Sequence, residues 1–114
     1  MKTVPSFTAS IYVGTKPHYS GEPIVIDHAR GFLQQYVDQG LCVTLTPTEF
    51  IYTKGKEPGF IVGLINYPRF PSSSEKLKEH AKQIALGLLT LYQQFKVSVV
   101  FPDETVMFEE SDSL

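Results

Sequence analysis

The sequence predicts an α+β domain in which one antiparallel sheet carries two helices on a single face. Two stretches repeat apolar residues with helical spacing, while several others alternate apolar and polar residues. Turn residues separate these stretches in the order β-α-β-β-α-β, with one extra strand at the end. The chain has 114 residues, 42% of them hydrophobic, which suits one domain with a core and leaves no room for two.

The first strand and the first helix are predicted from residues 8–40. Thr8–Gly14 is rich in residues that favour strands, and the Pro- and Gly-containing stretch 15–23 then predicts a loop. Asp27 suits a helix N-cap and Gly40 suits the residue after a helix, so a helix is expected over about 27–39. Its apolar stripe consists of Ala29, Phe32, Leu33, Tyr36 and Val37.

The middle of the chain predicts a hairpin. Leu41–Thr46 alternates as a strand, Pro47 marks a bend, bulge or edge, and extended structure resumes at Glu49–Thr53. The stretch 54–59 has turn composition. Phe60–Tyr67 is apolar at both odd and even positions, which is typical of a strand covered on both faces.

The second half of the chain predicts the longer helix and two further strands. Ser72 with Glu75 fits a capping box, and a helical stripe of apolar residues continues to Phe95. Lys96–Phe101 alternates as a strand, and Thr105–Glu109 returns as a short one after a Pro-Asp turn.

This order of elements is the ferredoxin-like βαββαβ arrangement with an extra C-terminal strand. Residues 1–108 are expected to form the single domain, and residues 109–114 an acidic, flexible tail. Two helices cover one face of such a sheet, yet Phe60–Tyr67 is apolar toward both faces. The second face therefore predicts a homo-oligomer.

Composition excludes several classes of protein. Ten Lys and Arg against 12 Asp and Glu argue against nucleic acid as a partner. The single cysteine, Cys42, excludes an internal disulfide and fits a reducing, cytoplasmic compartment. The longest apolar run, near Phe60–Ile65, is too short to span a bilayer, so no membrane partner is expected. No P-loop, GxGxxG motif or zinc-ligand spacing occurs, so neither a cofactor nor a metal is predicted.

Two segments, Cys42–Pro47 and Ile51–Lys56, resemble the divalent-cation-tolerance family CutA. That family has a Cys-Val pair, a proline five residues after the Cys, and an aromatic residue before a Gly-Lys turn. The chain departs from this pattern because it has no Trp. Nitrogen-regulatory PII proteins share the same trimeric core, and the resemblance implies a trimer with sites between its subunits.

A second resemblance concerns Pro58–Pro71 together with Val100–Val106, which look like small uncharacterised phage or prophage proteins. It implies a phage accessory or counter-defence protein that binds a host protein or a signalling nucleotide.

Two stretches offer candidate ligand-binding side chains. Asn66–Pro71 presents an amide, a phenol and a guanidinium on a backbone stiffened by two prolines, which suits a planar anionic ligand or a protein partner. It serves equally as a rigid connection whose aromatic rings close the core. The second stretch is a cluster of charged and aromatic residues around the predicted hairpin. This cluster can hold a phosphate or carboxylate, or it can simply keep the edge of the sheet soluble. Its members are Glu49, Tyr52, Lys54, Lys56 and Glu57.

The remaining candidates have ordinary structural explanations. Cys42 is interpreted as a small apolar residue, since no histidine is spaced to activate it. Asp103 and Glu104 suit Mg²⁺, but a Pro-Asp turn explains them without a metal. The histidines are interpreted as loop or helix-surface residues: His18, His28 and His80.

Three hypotheses about function follow. The first is a non-enzymatic homo-oligomer, predicted to be a trimer, that holds a small anionic ligand in clefts between subunits. Its expected ligand-binding residues are Asn66, Tyr67 and Arg69, helped by Tyr52, Lys54 and Lys56. The second is a protein-interaction module, such as a phage inhibitor of a host protein, that uses Phe70 or the Pro68–Pro71 surface. The third is a small enzyme with His18 or Glu49 as a base.

Overall fold

The computed structural model describes residues 1–15, 25–92 and 96–112. Within these ranges the chain forms five strands, two α-helices and one turn of 3₁₀ helix: β1 Thr8–Gly14, α1 Ile26–Val37, β2 Val43–Tyr52, β3 Gly55–Ile65, α2 Ser74–Leu91, β4 Lys96–Val100, β5 Thr105–Glu109 and the 3₁₀ turn Glu110–Asp112. The strands form one antiparallel sheet in the order β2-β3-β1-β4-β5. The predicted α+β class and the ferredoxin-like order with an extra strand are confirmed.

Strand β1 lies at the centre of the sheet and sets its two faces. Ile11 is opposite Val62 of β3 and Val99 of β4, and all three are fully buried. Because side chains alternate along a strand, residues of the same parity share one face. This buried face packs against both helices, chiefly α2, which supplies Leu77, Ala81, Ile84, Ala85, Leu88 and Leu89 to the core.

Tyr92, at the end of α2, ties the second helix to the first. Its hydroxyl donates to the Val25 carbonyl over 2.9 Å and accepts from the Ala29 amide over 3.0 Å. Its ring lies 5.4 Å from that of Phe60. Burial raises the pKa of Tyr92 above its ordinary value, although the hydrogen bond from Ala29 opposes this effect.

Both helices begin differently from what the sequence predicts. The N-cap of α1 is Val25, which has no side-chain cap, so Asp27 lies in the first turn instead. α1 ends at Val37 with Asp38 as its C-cap, two residues earlier than predicted, so Gly40 lies two residues beyond the cap, with φ +103°. Ser73, not Ser72, caps α2 by accepting from the Lys76 amide. The positions predicted for residues 16–24 and for Phe95 lie outside the described residues.

The central hairpin is longer and tighter than predicted. Its turn is Thr53-Lys54 alone, with Lys54 at φ 63°, and β3 begins immediately at Gly55. Residues 55–59 therefore belong to a strand, although their composition is that of a turn. Pro47 lies on the edge strand as predicted but does not interrupt it, since it occupies a position where the ladder to β3 needs no amide hydrogen.

The face of the sheet opposite the helices, here called the open face, has no cover within the described chain. Ile65 is 46% exposed, Val100 39% and Met107 51% on this face. In the 3₁₀ turn after β5, the Asp112 carboxylate accepts from the Glu109 amide over 2.7 Å. Among the described residues, no helix has the length and apolar character needed to cross a membrane.

Candidate functional site

A polar cleft of about 170 Å³ opens on the open face, where β1 ends. Four neighbouring strands contribute to it, because residues of the same parity on paired strands project to the same side. Its lining consists of Tyr12, Gly14, Phe50, Glu57, Lys96 and Ser98.

Glu57, on β3, supplies a half-buried carboxylate to this cleft. A β-carbon added at Gly14 would lie 2.6 Å from Glu57 Oε2, so the carboxylate rests directly against the backbone of β1. Among the described residues, Glu57 takes part in no hydrogen bond or ion pair through its side chain. A carboxylate that is partly withdrawn from water and unpartnered favours a cationic ligand.

Two aromatic rings stand beside that carboxylate. The rings of Tyr12 and Phe50 meet edge to face, with centroids 6.3 Å apart. Gly59 makes this possible, because a β-carbon there would collide with the Phe50 ring and with the Val13 carbonyl. Aromatic faces attract cations, so the rings and the carboxylate together suit an ammonium or sulfonium group.

The opposite wall of the cleft comes from β4. Ser98 is paired with Tyr12, and Lys96, two residues earlier on β4, reaches the same face beside Gly14. Lys96 is exposed, and Glu109 of β5 is opposite it in the register. No ion pair within 4.0 Å joins Lys96 to any described carboxylate. The cleft thus holds an anionic and a cationic side chain that do not neutralise each other.

The structure places the ligand-binding residues predicted from the sequence at two opposite ends of β3. Tyr52, Lys54 and Lys56 surround the hairpin turn at its start. Asn66, Tyr67 and Arg69 follow its last residue. Eleven residues of strand span roughly 36 Å. One copy of the chain does not bring the two groups together, and their role in binding stays a prediction.

Asn66 is buried and engaged within the chain. Its side-chain amide donates to the Pro5 carbonyl over 2.8 Å, and its side-chain oxygen accepts from the Ser72 amide over 3.0 Å. Its own backbone amide donates to the Phe7 carbonyl over 3.0 Å. Asn66 therefore fastens the N-terminal segment to the start of α2.

Tyr67, Arg69 and Phe70 form an exposed group beside it. The rings of Tyr67 and Phe70 stack with centroids 6.4 Å apart, and the Arg69 guanidinium lies 6.0 Å from the Phe70 ring centroid. About two fifths of each aromatic residue is exposed. The connection between β3 and α2 thus presents aromatic side chains to solvent instead of using them to close the core.

The other candidate residues form hydrogen bonds or ion pairs within the protein, or pack against apolar neighbours. Cys42 is half-buried and lines an apolar groove between α1 and β2. His80 Nδ1 lies 2.9 Å from the Tyr36 hydroxyl, and burial, followed by the charge of Glu79, raises the pKa of Tyr36.

The acidic pair after β4 also has a partner in the chain. Asp103 and Glu104 both bind the Lys78 ammonium over 3.3 Å. His18 lies outside the described residues, and within them no three His, Cys, Asp or Glu side chains group together as ligands for a metal ion.

Most residues of the cleft are not among the candidates that the sequence predicts. Glu57 was noticed only as part of a charged turn, because Gly and Pro surround it. The available signal was the alternation of β1, in which Ser10, Tyr12 and Gly14 stand on the side opposite the apolar residues. That pattern marks a face with polar features but does not identify the residues that join it from other strands.

No protein-family model matches the chain, and no curated protein matches its sequence. The resemblance to CutA and PII proteins therefore finds no support beyond the ferredoxin-like fold.

Two solved structures share the fold. A phage SAM lyase in complex with S-methyl-5'-thioadenosine matches with a TM-score of 0.76 and 14% identity, over 100% of this chain and 97% of that chain. A phage SAM lyase in the apo state matches with a TM-score of 0.66 and 16% identity, over 90% of this chain and 88% of that chain. Both matched chains are phage proteins, in agreement with the resemblance to small phage proteins.

These matches correct the prediction of a non-enzymatic protein that holds a small anionic ligand. The matched structures are those of a lyase, so proteins with this fold at nearly this length include an enzyme. The ligand in one of them, a thioether of adenosine, carries no anionic group. The alternative prediction of a phage accessory or counter-defence protein agrees with the matches in its phage origin.

Proposed function

We propose that this protein is a lyase that cleaves S-adenosylmethionine and releases S-methyl-5'-thioadenosine. The observation that carries the proposal is the Glu57 carboxylate, which has no partner among the described residues and lies beside the Tyr12 and Phe50 rings, an arrangement suited to a sulfonium or ammonium cation. S-adenosylmethionine carries both cations within a few bonds of each other. The whole-chain likeness in fold to a phage SAM lyase supports the same substrate.

The proposed reaction breaks the bond between the sulfonium sulfur and the γ-carbon of the methionine moiety. Both electrons of that bond go to sulfur, which becomes the neutral thioether of the product. The four-carbon fragment leaves without addition of water, because its own carboxylate bonds to the γ-carbon as the bond to sulfur breaks and closes a lactone. Glu57 holds the positive end of the substrate and orients it, which lowers the entropic part of the barrier.

We also propose that copies of the chain associate through the open face, as the predicted homo-oligomer requires, with a trimer as the expected form. Ile65, Val100 and Met107 expose apolar surface there. The cleft of about 170 Å³ is smaller than the range of about 300–1,000 Å³ usual for ligand sites. A neighbouring copy would complete it. Light scattering of the purified protein should give a multiple of 12.8 kDa, and a monomer at all concentrations would contradict this.

The test of the activity is incubation of the purified protein with S-adenosylmethionine, with chromatographic detection of methylthioadenosine. Glu57→Gln removes the charge and keeps the size of the side chain, so kcat/KM should fall roughly 10- to 150-fold with little change in Tm. Glu49→Gln is the matched control, because Glu49 is exposed on β2 with the parity of the other sheet face.

Absence of any methylthioadenosine with the wild-type protein would refute the proposed function. A four-carbon product that is heavier by one water than the fragment expected from the proposed reaction would identify a hydrolase instead of a lyase. Full activity in Glu57→Gln would show that the cleft is not the active site.

A further inference from the structure

Two charged side chains of opposite sign face the cleft without pairing with each other. Glu57 reaches it from β3 and Lys96 from β4, with Gly14 of β1 between them. Opposite charges that share a cleft gain energy by forming an ion pair. None within 4.0 Å joins these two among the described residues. The cleft therefore offers separate places for a cation and an anion.

We propose that Lys96 is a specificity-determining residue that binds the α-carboxylate of the substrate, so that the cleft selects sulfonium compounds that carry an intact amino acid group. This inference rests on the proposed function. An α-amino acid group is a zwitterion, with its ammonium suited to Glu57 and its carboxylate to Lys96. The hydroxyl of Ser98, two residues along β4, lies on the same wall as a further donor.

The neighbouring charges agree with this assignment. Glu109 is opposite Lys96 in the register of β4 and β5. Together with Glu57, these side chains bring two negative charges and one positive charge to this end of the open face. S-adenosylmethionine has the complementary set, with one sulfonium, one ammonium and one carboxylate. Removal of the carboxylate from the substrate would leave Lys96 without its partner and the site with three positive charges against two negative ones.

The test compares ligands with and without the amino acid group by isothermal titration calorimetry. Sinefungin keeps the nucleoside and the amino acid group but has no sulfonium to cleave, whereas methylthioadenosine lacks the amino acid group. Lys96→Met should weaken sinefungin binding by about 10-fold or more, since a hydrogen bond between charged groups is lost. It should leave methylthioadenosine affinity within about 2-fold, because that ligand has no carboxylate.

Lys76→Met is the control, since Lys76 is exposed in the first turn of α2 and should change neither affinity. Lys96→Gln serves as a second variant, and thermal unfolding of both checks that they fold. In the wild-type protein, decarboxylated S-adenosylmethionine should bind at least about 10-fold more weakly than sinefungin, and Lys96→Met should abolish that difference.

Unchanged sinefungin affinity in Lys96→Met, or an equal loss for both ligands, would overturn the inference. If the wild-type protein cleaves S-adenosylmethionine and either result is found, only the role of Lys96 fails. If the wild-type protein binds none of the three ligands and cleaves nothing, the proposed function fails and takes this inference with it.

Discussion

The two faces of the sheet are built from the same strands, but one face forms the buried core and the other carries the candidate cleft. On the face under the helices, Ile11, Phe60 and Val99 are fully buried, and even the hydroxyl of Tyr92 is hydrogen-bonded on both sides. On the open face, the alternate positions of the same strands carry Tyr12 and Lys96 at a cleft. The contrast teaches that stability and the candidate chemistry are separated by strand parity, so that substitutions on one face should leave the other intact.

The largest expected effect lies on the buried face. Leu64→Ala, at a position that is 1% exposed, should lower the free energy of unfolding by about 2–5 kcal/mol, because it removes core contacts and leaves a cavity. Urea denaturation measures this. Leu91→Ala, at a 39% exposed position, is the control and should cost under about 1 kcal/mol. Equal costs for the two would contradict the assignment of the core to this face.

A smaller effect is expected on the open face. In Gly14→Ala, the added β-carbon displaces the Glu57 carboxylate, so kcat/KM for S-adenosylmethionine should fall by about 10- to 100-fold. The free energy of unfolding should change little, because the obstructing atoms belong to a side chain that can move. Gly31→Ala in α1 meets no atom within 4 Å and should keep full activity. Unchanged kinetics in Gly14→Ala would remove Glu57 from its proposed role.

The smallest effect concerns Tyr92. Tyr92→Phe should lower the free energy of unfolding by about 1 kcal/mol at neutral pH, because the Val25 carbonyl and the Ala29 amide lose their partner. The wild-type protein should also lose stability as pH rises above about 10, since the unfolded chain releases the Tyr92 proton while the raised pKa keeps it in the folded one. In Tyr92→Phe, the part of this alkaline loss of stability that comes from the Tyr92 proton should be absent.

Denaturation at pH 8 and at pH 11 compares the two proteins directly. Tyr67→Phe, at an exposed position on the connection between β3 and α2, serves as the control and should follow the wild-type protein. Identical alkaline slopes for Tyr92→Phe and the wild-type protein would contradict the prediction.

Most of the fold could be predicted from local patterns. Strands β1 and β5 match their predicted bounds, and α2 was identified by its apolar stripe, because helical and strand periodicities are properties of neighbouring residues. The start of β3 could not be predicted in the same way. Gly55 and Pro58 favour a turn locally, yet pairing with β2 holds them in a strand.

The sequence by itself determined the class of fold, the order of the elements and the apolar character of Phe60–Ile65 toward both sheet faces, since each depends on spacing along the chain. The tertiary structure decided the candidate site. Tyr12, Phe50, Glu57 and Lys96 stand on four different strands and meet only because the register aligns their parities. Register depends on pairing between residues far apart in sequence, and a slip of one residue would turn each of these side chains to the other face.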